Sequence, residues 1–379
     1  MNITLCPTIL KGTVSAPPSK SFTHRALICA ALSDRPCAIL NMGRGEDISA
    51  TLDCIAAFKN ASWLYNCRES GTTLRFFVPL SLLGGGGKFI GSGRLIERGI
   101  SEYERVLPEH GIKIENNVDG ISVSGRLTAG EYTLRGDVSS QFVSGLLLAL
   151  SRADGDSTVR VLPPVESRAY IDMTLSVMRS FGVTVTENEK NTFEIHGTQR
   201  YFREKYTVEG DWSNAAYFIA LKMLGHDIEI TGLEFNSIQP DKVCLEYFER
   251  LKNGCAVLDV SNCPDLAPVL MAFAAMNNGC TLTGTHRLKL KESDRARAMA
   301  EELTKFGCRI EVYDNSVDIT KTKLHAPKEI LSSHNDHRVA MALTLPCLEY
   351  GGTVNNAEAV NKSFGEFFEI IEELRNDRA

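Results

Sequence analysis

Cations placed where helices begin carry the most informative chemistry in this sequence. Lys20 and Arg25 sit in or just after Pro18-Ser-Lys-Ser21, Arg75 follows Glu69-Ser-Gly-Thr72, and Arg338 follows Asn335-Asp-His337. Each turn precedes a run of small and apolar residues. Ser, Asp and Asn there are helix caps, worth about 1 kcal/mol by satisfying orphan N–H groups. Capping does not explain the cations. A helix N-terminus carries partial positive charge, so a lysine or arginine beside it is unfavourable unless an anion lies between. These turns therefore read as anion sites for phosphate or carboxylate. Arg98, Arg168, Lys291, Arg295 and Lys362 add further cations, each an ordinary surface charge if taken singly.

Two carboxylates stand among them. Asp265 follows Pro264 in a turn, where N-capping and catalysis are equally good readings. Glu292 sits in Lys291-Glu-Ser-Asp-Arg295, where the plain alternative is a surface ion pair. A carboxylate surrounded by cations stays ionised and so remains available as a general base. Other motifs fail. Gly84–Gly87 with Lys88 lacks the first glycine and the Ser/Thr of a phosphate loop, and Gly91-Ser-Gly93 lacks the third glycine of a dinucleotide site. His334 and His337 show no third ligand in sequence, so no metal is expected.

The elements that position these residues recur. A polar turn leading into a small-residue helix appears six times, marked by Lys20, Gly71, Ser140, Trp212, Asp265 and Asp336, at steps of 51, 69, 72, 53 and 71 residues. An amphipathic helix, a stop and a short alternating strand follow each time. The stops Asn60, Gly111, Gly182, Gly254 and Gly307 are spaced 51, 71, 72 and 53. Glycine just past a helix predicts a left-handed C-cap. Two markers with one rhythm predict six internal repeats. The last amphipathic helix, Phe364–Leu374, has no strand after it, while an alternating segment, Ile3–Val14, opens the chain unpartnered. The simplest closure makes residues 1–18 and 212–379 one domain and residues 19–211 the other, with the turns of both facing a common cleft.

Composition agrees. At 379 residues two domains are expected, since single cores stop growing at roughly 250–300. Hydrophobic residues at 43% and charged residues at 23% exclude long disorder. A net charge of −6 argues against nucleic acid or an anionic membrane as partner. Leu266–His286 is long enough to span a bilayer but is broken by Asn277, Asn278 and Gly279. Eleven cysteines without metal-type spacing read as buried small hydrophobes of a reducing compartment. The expectation is a soluble, cytoplasmic protein.

At these residues the chain resembles the 3-phosphoshikimate 1-carboxyvinyltransferase (EPSP synthase) family of enolpyruvyl transferases. The resemblance runs from Gly12 to about Phe368. It is carried by Pro17-Pro-Ser-Lys-Ser-Phe-Thr-His-Arg-Ala-Leu27, Ser70-Gly-Thr-Thr-Leu-Arg75, Ser139-Ser-Gln141, Tyr170-Ile-Asp172, Glu209-Gly-Asp211, Pro264-Asp265, Lys291–Arg295 and Asn335-Asp-His-Arg338. It implies an α/β (α+β) protein of two domains in an inverse α/β barrel-like arrangement, each of three βαβαββ repeats. It also implies transfer of the enolpyruvyl group of phosphoenolpyruvate to the 5-hydroxyl of shikimate 3-phosphate. Carried over by position, Lys20, Ser21, Arg25, Ser139, Ser140, Gln141, Ser167, Asp265 and Lys291 hold shikimate 3-phosphate, with Arg168 and Tyr170 close by. Lys20, Gly71, Arg98, Gln141, Arg295, Arg338 and Lys362 hold phosphoenolpyruvate. Asp265, Glu292, Lys20 and Lys362 are the catalytic set. The implied enzyme is monomeric and uses no metal or organic cofactor.

Departures from the family pattern fall at Glu69, Trp212-Ser-Asn214 and Gly365, none of which is given a role. The competing readings are a UDP-N-acetylglucosamine enolpyruvyl transferase, which lacks the Ser-Lys-Ser…His-Arg opening, and a non-catalytic phosphoanion-binding scaffold.

Overall fold

The computed structural model describes residues 1–376 and divides into two compact units. One comprises Met1–Pro18 and the chain from Glu209 onward; the other is Ser19–Val208. Glu209, Gly210 and Asp211, placed by the sequence with the second unit, belong to the first. Gly210 bridges Pro18, the Asp211 N–H donates to the Pro17 carbonyl at 2.7 Å, and Gln239 Nε2 donates to the Gly210 carbonyl at 2.7 Å.

The repeat is a strand, a helix, a parallel strand, a second helix and a closing hairpin. Three sheets show it complete. Leu64–Asn66, Gly86–Ile90, Lys113–Asn117 and Gly120–Ser124 form one, with the last strand antiparallel beside the second. Glu131–Arg135, Ser157–Leu162, Val185–Glu189 and Thr192–Ile195 form another in the same order. In the first unit, Ala256–Asp259, Cys280–Thr283, Arg309–Val312 and Ser316–Thr320 form the third. None of the sheets closes into a barrel among the described residues.

The six-repeat rhythm stands with two repeats shortened. Ala38–Leu40 pairs only with Lys205–Thr207, and Asp227–Thr231 only with Lys11–Ser15. Neither repeat has a closing hairpin. These are the repeats whose markers step by 51 and 53 residues rather than 69 to 72. The stops differ at the same places. Gly111, Gly182 and Gly307 take the left-handed conformation (φ 77°, 83° and 87°). Gly254 is extended at φ 164°, and Asn60 is right-handed at φ −90° with the positive φ passed to Ala61. Where no hairpin follows, the chain has no sharp reversal to make.

The opening segment Ile3–Val14 is two strands, not one. Ile3–Leu5 pairs antiparallel with Gly352–Asn355, and Lys11–Ser15 runs parallel to Asp227–Thr231. Pro7, which has no N–H for a ladder, lies between them.

Inside each unit the turn-led helices are buried almost all round, as uniformly apolar helices must be. In Ser19–Val208 these are Lys20–Ala31, Gly71–Ser81 and Ser140–Leu150. In the other unit they are Trp212–Met223, Ala267–Met276 and His337–Tyr350. The helices Glu46–Lys59, Arg168–Ser180, Cys244–Asn253 and Arg295–Thr304 bury one face only. No helix among the described residues is long and apolar enough to cross a membrane.

Candidate active site

Helix starts carry the site residues. Ser19, Ser70, Ser139, Asp211 and Asp336 each accept a backbone N–H of the helix they precede. No acidic residue occupies the first turn of any of these helices, nor of Arg168–Ser180, Ala267–Met276 or Arg295–Thr304. The helices Glu46–Lys59 and Cys244–Asn253, by contrast, begin with acids. The helices Lys20–Ala31, Gly71–Ser81 and Ser140–Leu150, capped by neutral serines, have no carboxylate of their own at the positive end, which is the electrostatics an anion needs; Asp211, Asp294 and Asp336 place one at three of the others.

In the first unit, Arg295 is the centre. Its Nε donates to Asp336 at 2.8 Å, Nη1 to Asp265 at 2.7 Å and Nη2 to Glu292 at 2.6 Å. Asp265 Oδ2 accepts Arg338 Nη2 at 3.1 Å, and Oδ1 accepts Lys291 Nζ at 3.3 Å. Arg338 also donates to Ser213 Oγ at 2.7 Å. Burial opposes the charge on Arg295 and Arg338, yet the neighbouring carboxylates outweigh it and raise both pKa values above the ordinary one for arginine. Lys291 goes the other way: burial pushes it down to about 8, Asp265 only partly restoring it and Arg295 pushing further down.

These contacts bear on two readings of the sequence. The N-cap residues Cys263 and Leu266 make no side-chain cap bond, and the Asp265 carboxylate faces Lys291, Arg295 and Arg338. Glu292 is no surface pair: its side chain is 14% exposed and its partner Arg295 2%. Lys362 is buried and donates to the Asn335 carbonyl at 2.6 Å. His334 and Asn335, just before the cap at Asp336, are both left-handed at φ 50° and 53°.

In the unit Ser19–Val208 a second group assembles. Arg75 Nη1 donates to Gln141 Oε1 at 2.7 Å, and Gln141 Nε2 donates to Thr72 Oγ1 at 2.9 Å. Arg75 Nη2 reaches the Arg98 carbonyl at 3.1 Å. A Cβ on Gly71 would stand 2.8 Å from Arg98 Nη2, so the Arg98 guanidinium lies directly over that glycine. Lys20 pairs with Asp47 at 2.8 Å. Arg25, brought down to about 10 by burial, donates to Thr174 Oγ1 and to the Ser21 and Tyr170 carbonyls at 2.7–2.9 Å. It braces two helices beside Ser167, itself buried and left-handed at φ 55°. Ser139 caps and Ser140 opens the helix Ser140–Leu150.

Arg168, like Lys20, is paired to carboxylates. It is turned onto Asp172 at 2.9 Å and Glu187 at 2.6 Å, so two carboxylates already neutralise it. His334 does gain acidic neighbours, Glu301 and Glu302, with ligand atoms within 4.8 Å of one another. Glu302, however, already accepts Lys305 at 2.8 Å, His334 Nε2 at 2.9 Å and the Ser332 N–H at 2.9 Å, which describes an ion-pair brace. The sequence marked Arg75 as a cation of an anion turn without giving it a substrate, read Asp336 only as the marker of a repeat, and gave Asp47 and Ser213 no role. Only the contacts across elements reveal them.

Removing Arg295 would leave Asp265, Glu292 and Asp336 crowded without their shared cation. Arg295→Leu is expected to lower unfolding stability by about 3–5 kcal/mol in urea titration. A loss below about 1 kcal/mol would show that the carboxylates do not depend on it.

The chain is similar to known proteins over nearly its whole length. The family model described as EPSP synthase (3-phosphoshikimate 1-carboxyvinyltransferase) matches residues 6–66 and 57–371. The 3-phosphoshikimate 1-carboxyvinyltransferase of Clostridium acetobutylicum is 35% identical, over 98% of this chain and 96% of its own. That of Clostridium botulinum Eklund 17B is 36% identical, over 97% and 96%. Among solved structures, EPSP synthase from Acinetobacter baumannii superposes with a TM-score of 0.78 at 22% identity, covering 99% of this chain and 98% of that one. The enolpyruvyl transferase NikO from Streptomyces tendae gives 0.74 at 16%, over 98% and 97%; these two likenesses speak to the fold. With its sequence matched from end to end and its charged turns assembled on this fold, the chain belongs to the EPSP synthase (3-phosphoshikimate 1-carboxyvinyltransferase) family.

Proposed function

We propose that the chain transfers the enolpyruvyl group of phosphoenolpyruvate to the 5-hydroxyl of shikimate 3-phosphate, releasing phosphate. The observation that carries this reading is Asp265. It is a carboxylate held by Arg295, Arg338 and Lys291, placed to take a hydroxyl proton where phosphate and carboxylate anions are also attracted. The 5-hydroxyl oxygen bonds to C2 of phosphoenolpyruvate, its proton passes to Asp265, and C3 gains a proton to become a methyl group. The tetrahedral adduct then loses a C3 proton and expels phosphate, leaving the enolpyruvyl ether. Lys291, close to neutrality and bonded to Asp265, can exchange that proton. Glu292, Lys20 and Lys362 are assigned to the transfers at C3 and at the departing phosphate.

The substrates divide by turn. Lys20, Ser21, Arg25, Ser139, Ser140, Gln141, Ser167, Asp265 and Lys291 hold shikimate 3-phosphate. Lys20, Gly71, Arg98, Gln141, Arg295, Arg338 and Lys362 hold phosphoenolpyruvate, whose carboxylate and phosphate suit bidentate arginine. Substrate anions must compete with the carboxylates now paired to Arg295 and Arg338, which favours strongly charged ligands. The enzyme acts as a monomer in a reducing cytoplasm, a placement supported by eleven cysteines of which none is in a disulfide and most are buried.

Incubation with both substrates should release phosphate; no release from well-folded protein would overturn the reading. Asp265→Asn and Lys20→Met should each lower kcat at least about a hundredfold with unchanged circular dichroism. Near wild-type kcat in either would remove that residue from the catalytic set.

The pH dependence has a defined sign. Lys291 is cationic below about 8 and loses its charge above it. The KM for shikimate 3-phosphate should therefore rise between about pH 7 and 9, and Lys291→Arg, charged throughout, should flatten that rise. An equal rise in both proteins would assign it to another group.

Gly71→Ala should push the Arg98 guanidinium aside, because the added methyl meets Arg98 Nη2 at 2.8 Å and Arg75 Nη1 at 3.2 Å. The KM for phosphoenolpyruvate should increase about tenfold, within the usual range for overpacking. An unchanged KM would place phosphoenolpyruvate away from this turn.

A further inference from the structure

Behind the turns of the unit Ser19–Val208 runs a buried chain of polar side chains. His24 Nδ1 lies 2.7 Å from Thr51 Oγ1, and Thr51 Oγ1 lies 2.7 Å from Thr73 Oγ1. Thr73 donates its hydroxyl to Ser70 Oγ at 2.8 Å, with the Asp47 carbonyl also within 3.5 Å. Ser70 Oγ additionally accepts the Thr73 N–H at 3.2 Å, closing the cap of the helix Gly71–Ser81. All four residues are at most 1% exposed, so water cannot replace any of these bonds.

The direction of the chain follows from its end. The Thr73 hydroxyl proton goes to Ser70, so Thr73 Oγ1 must accept the proton of Thr51. Thr51 Oγ1 must then accept from His24, which puts the proton on Nδ1 and leaves Nε2 bare. Burial, with Lys20 and Arg25 adding to it, lowers the His24 pKa well below 6.5 and keeps the ring neutral. Nε2 is itself buried with no hydrogen-bond partner among the described residues. What this histidine contributes is therefore a single directed bond through Nδ1.

Each member of the chain stands one helical turn behind, or next to, a group of the site. His24 is four residues after Lys20, and Thr51 is four residues after Asp47, the partner of Lys20. Ser70 adjoins Gly71. Apolar side chains could fill the same space, but they would leave the three helices free to slide; a chain of directed bonds admits one register.

We propose that His24, Thr51, Thr73 and Ser70 form a positioning relay that fixes the turn Ser70–Thr72 relative to the Lys20–Asp47 pair and thereby sets the affinity for phosphoenolpyruvate. The proposal rests on the function proposed above and adds residues that touch neither substrate.

Steady-state kinetics of wild type, His24→Leu, His24→Asn, His24→Gln, Thr51→Val and the His24→Leu/Thr51→Val double variant test it. His24→Leu should raise the KM for phosphoenolpyruvate about tenfold while the KM for shikimate 3-phosphate stays within about twofold. His24→Asn should restore it, because its amide nitrogen falls where Nδ1 was; His24→Gln, which reaches the Nε2 position, should not. The double variant should be no worse than His24→Leu alone, as expected for one chain cut twice. Equal changes in both KM values, or equal rescue by Asn and Gln, would overturn the relay. If His24→Leu does not fold, the near-isosteric Thr73→Val carries the same comparison. A readout independent of turnover is the ¹⁵N spectrum of the wild-type ring. Protonated Nδ1, bare Nε2 and no titration between about pH 5 and 8 are expected. A proton on Nε2 would overturn the relay even in a fully active enzyme, whereas correct ring protonation without turnover would count against the function alone.

Discussion

Arg295 is the constraint on which the first unit turns. An arginine cannot shed its charge, and this one is almost wholly buried, so its surroundings must supply the opposite sign. Three segments do so: the turn at Asp265, the turn at Glu292 and the cap at Asp336. Once they converge, the geometry around them is largely determined. Asp265 still has an oxygen for Arg338, and Asp336 still caps the helix that carries Arg338. A conflict of charge and burial in one side chain thus gathers four site residues into hydrogen-bond contact. The same arrangement holds the Arg295 and Arg338 guanidinium groups on protein carboxylates rather than leaving them unneutralised.

Repetition explains how so many helix starts come to carry the residues proposed for the site. Each repeat ends a strand in a small polar turn and sends an apolar helix into the core. Burying such a helix on every side places its first turn at the end of the core, where a cap side chain meets its N–H groups. Evolution of function then needs only side chains at that turn. Lys20, Gly71, Ser140 and Asp265 are different chemical answers placed at one structural position. The second helix of each repeat needs only one buried face, which leaves it free to carry residues such as Lys59 and Glu246 in solvent.

Much of this was legible in the sequence, for definable reasons. The rhythm of turns and stops was visible because each repeat spells its own punctuation, and even the two short repeats announced themselves in the 51- and 53-residue steps. Lys20, Arg75 and Arg338 stood out because cations oppose the helix dipole. The partners of those cations did not stand out. Asp47 looks like ordinary acid in the first turn of an amphipathic helix, and Asp336 like an ordinary cap. Their second role exists only through Lys20 and Arg295, distant along the chain. The same limit hid the three cations around Asp265 and the pairing of Arg168 with Asp172 and Glu187. Local spacing reports what a residue can do, while long-range contact decides which of those things it does.

The interrupted first unit has a consequence for how the chain comes into being. Residues 1–18 are made before Ser19–Val208, yet Lys11–Ser15 pairs with Asp227–Thr231 and Ile3–Leu5 with Gly352–Asn355. Between these partners the whole of Ser19–Val208 must leave the ribosome, and its own two-stranded sheet waits for Lys205–Thr207. The inner unit can therefore be completed while the outer one is still a short leading strand. Such a strand, with open edges and no sheet to join, is exposed to pairing with other chains. Lys11 at the start of Lys11–Ser15 and Pro17-Pro18 just beyond it supply the charge and the missing N–H groups that oppose such pairing.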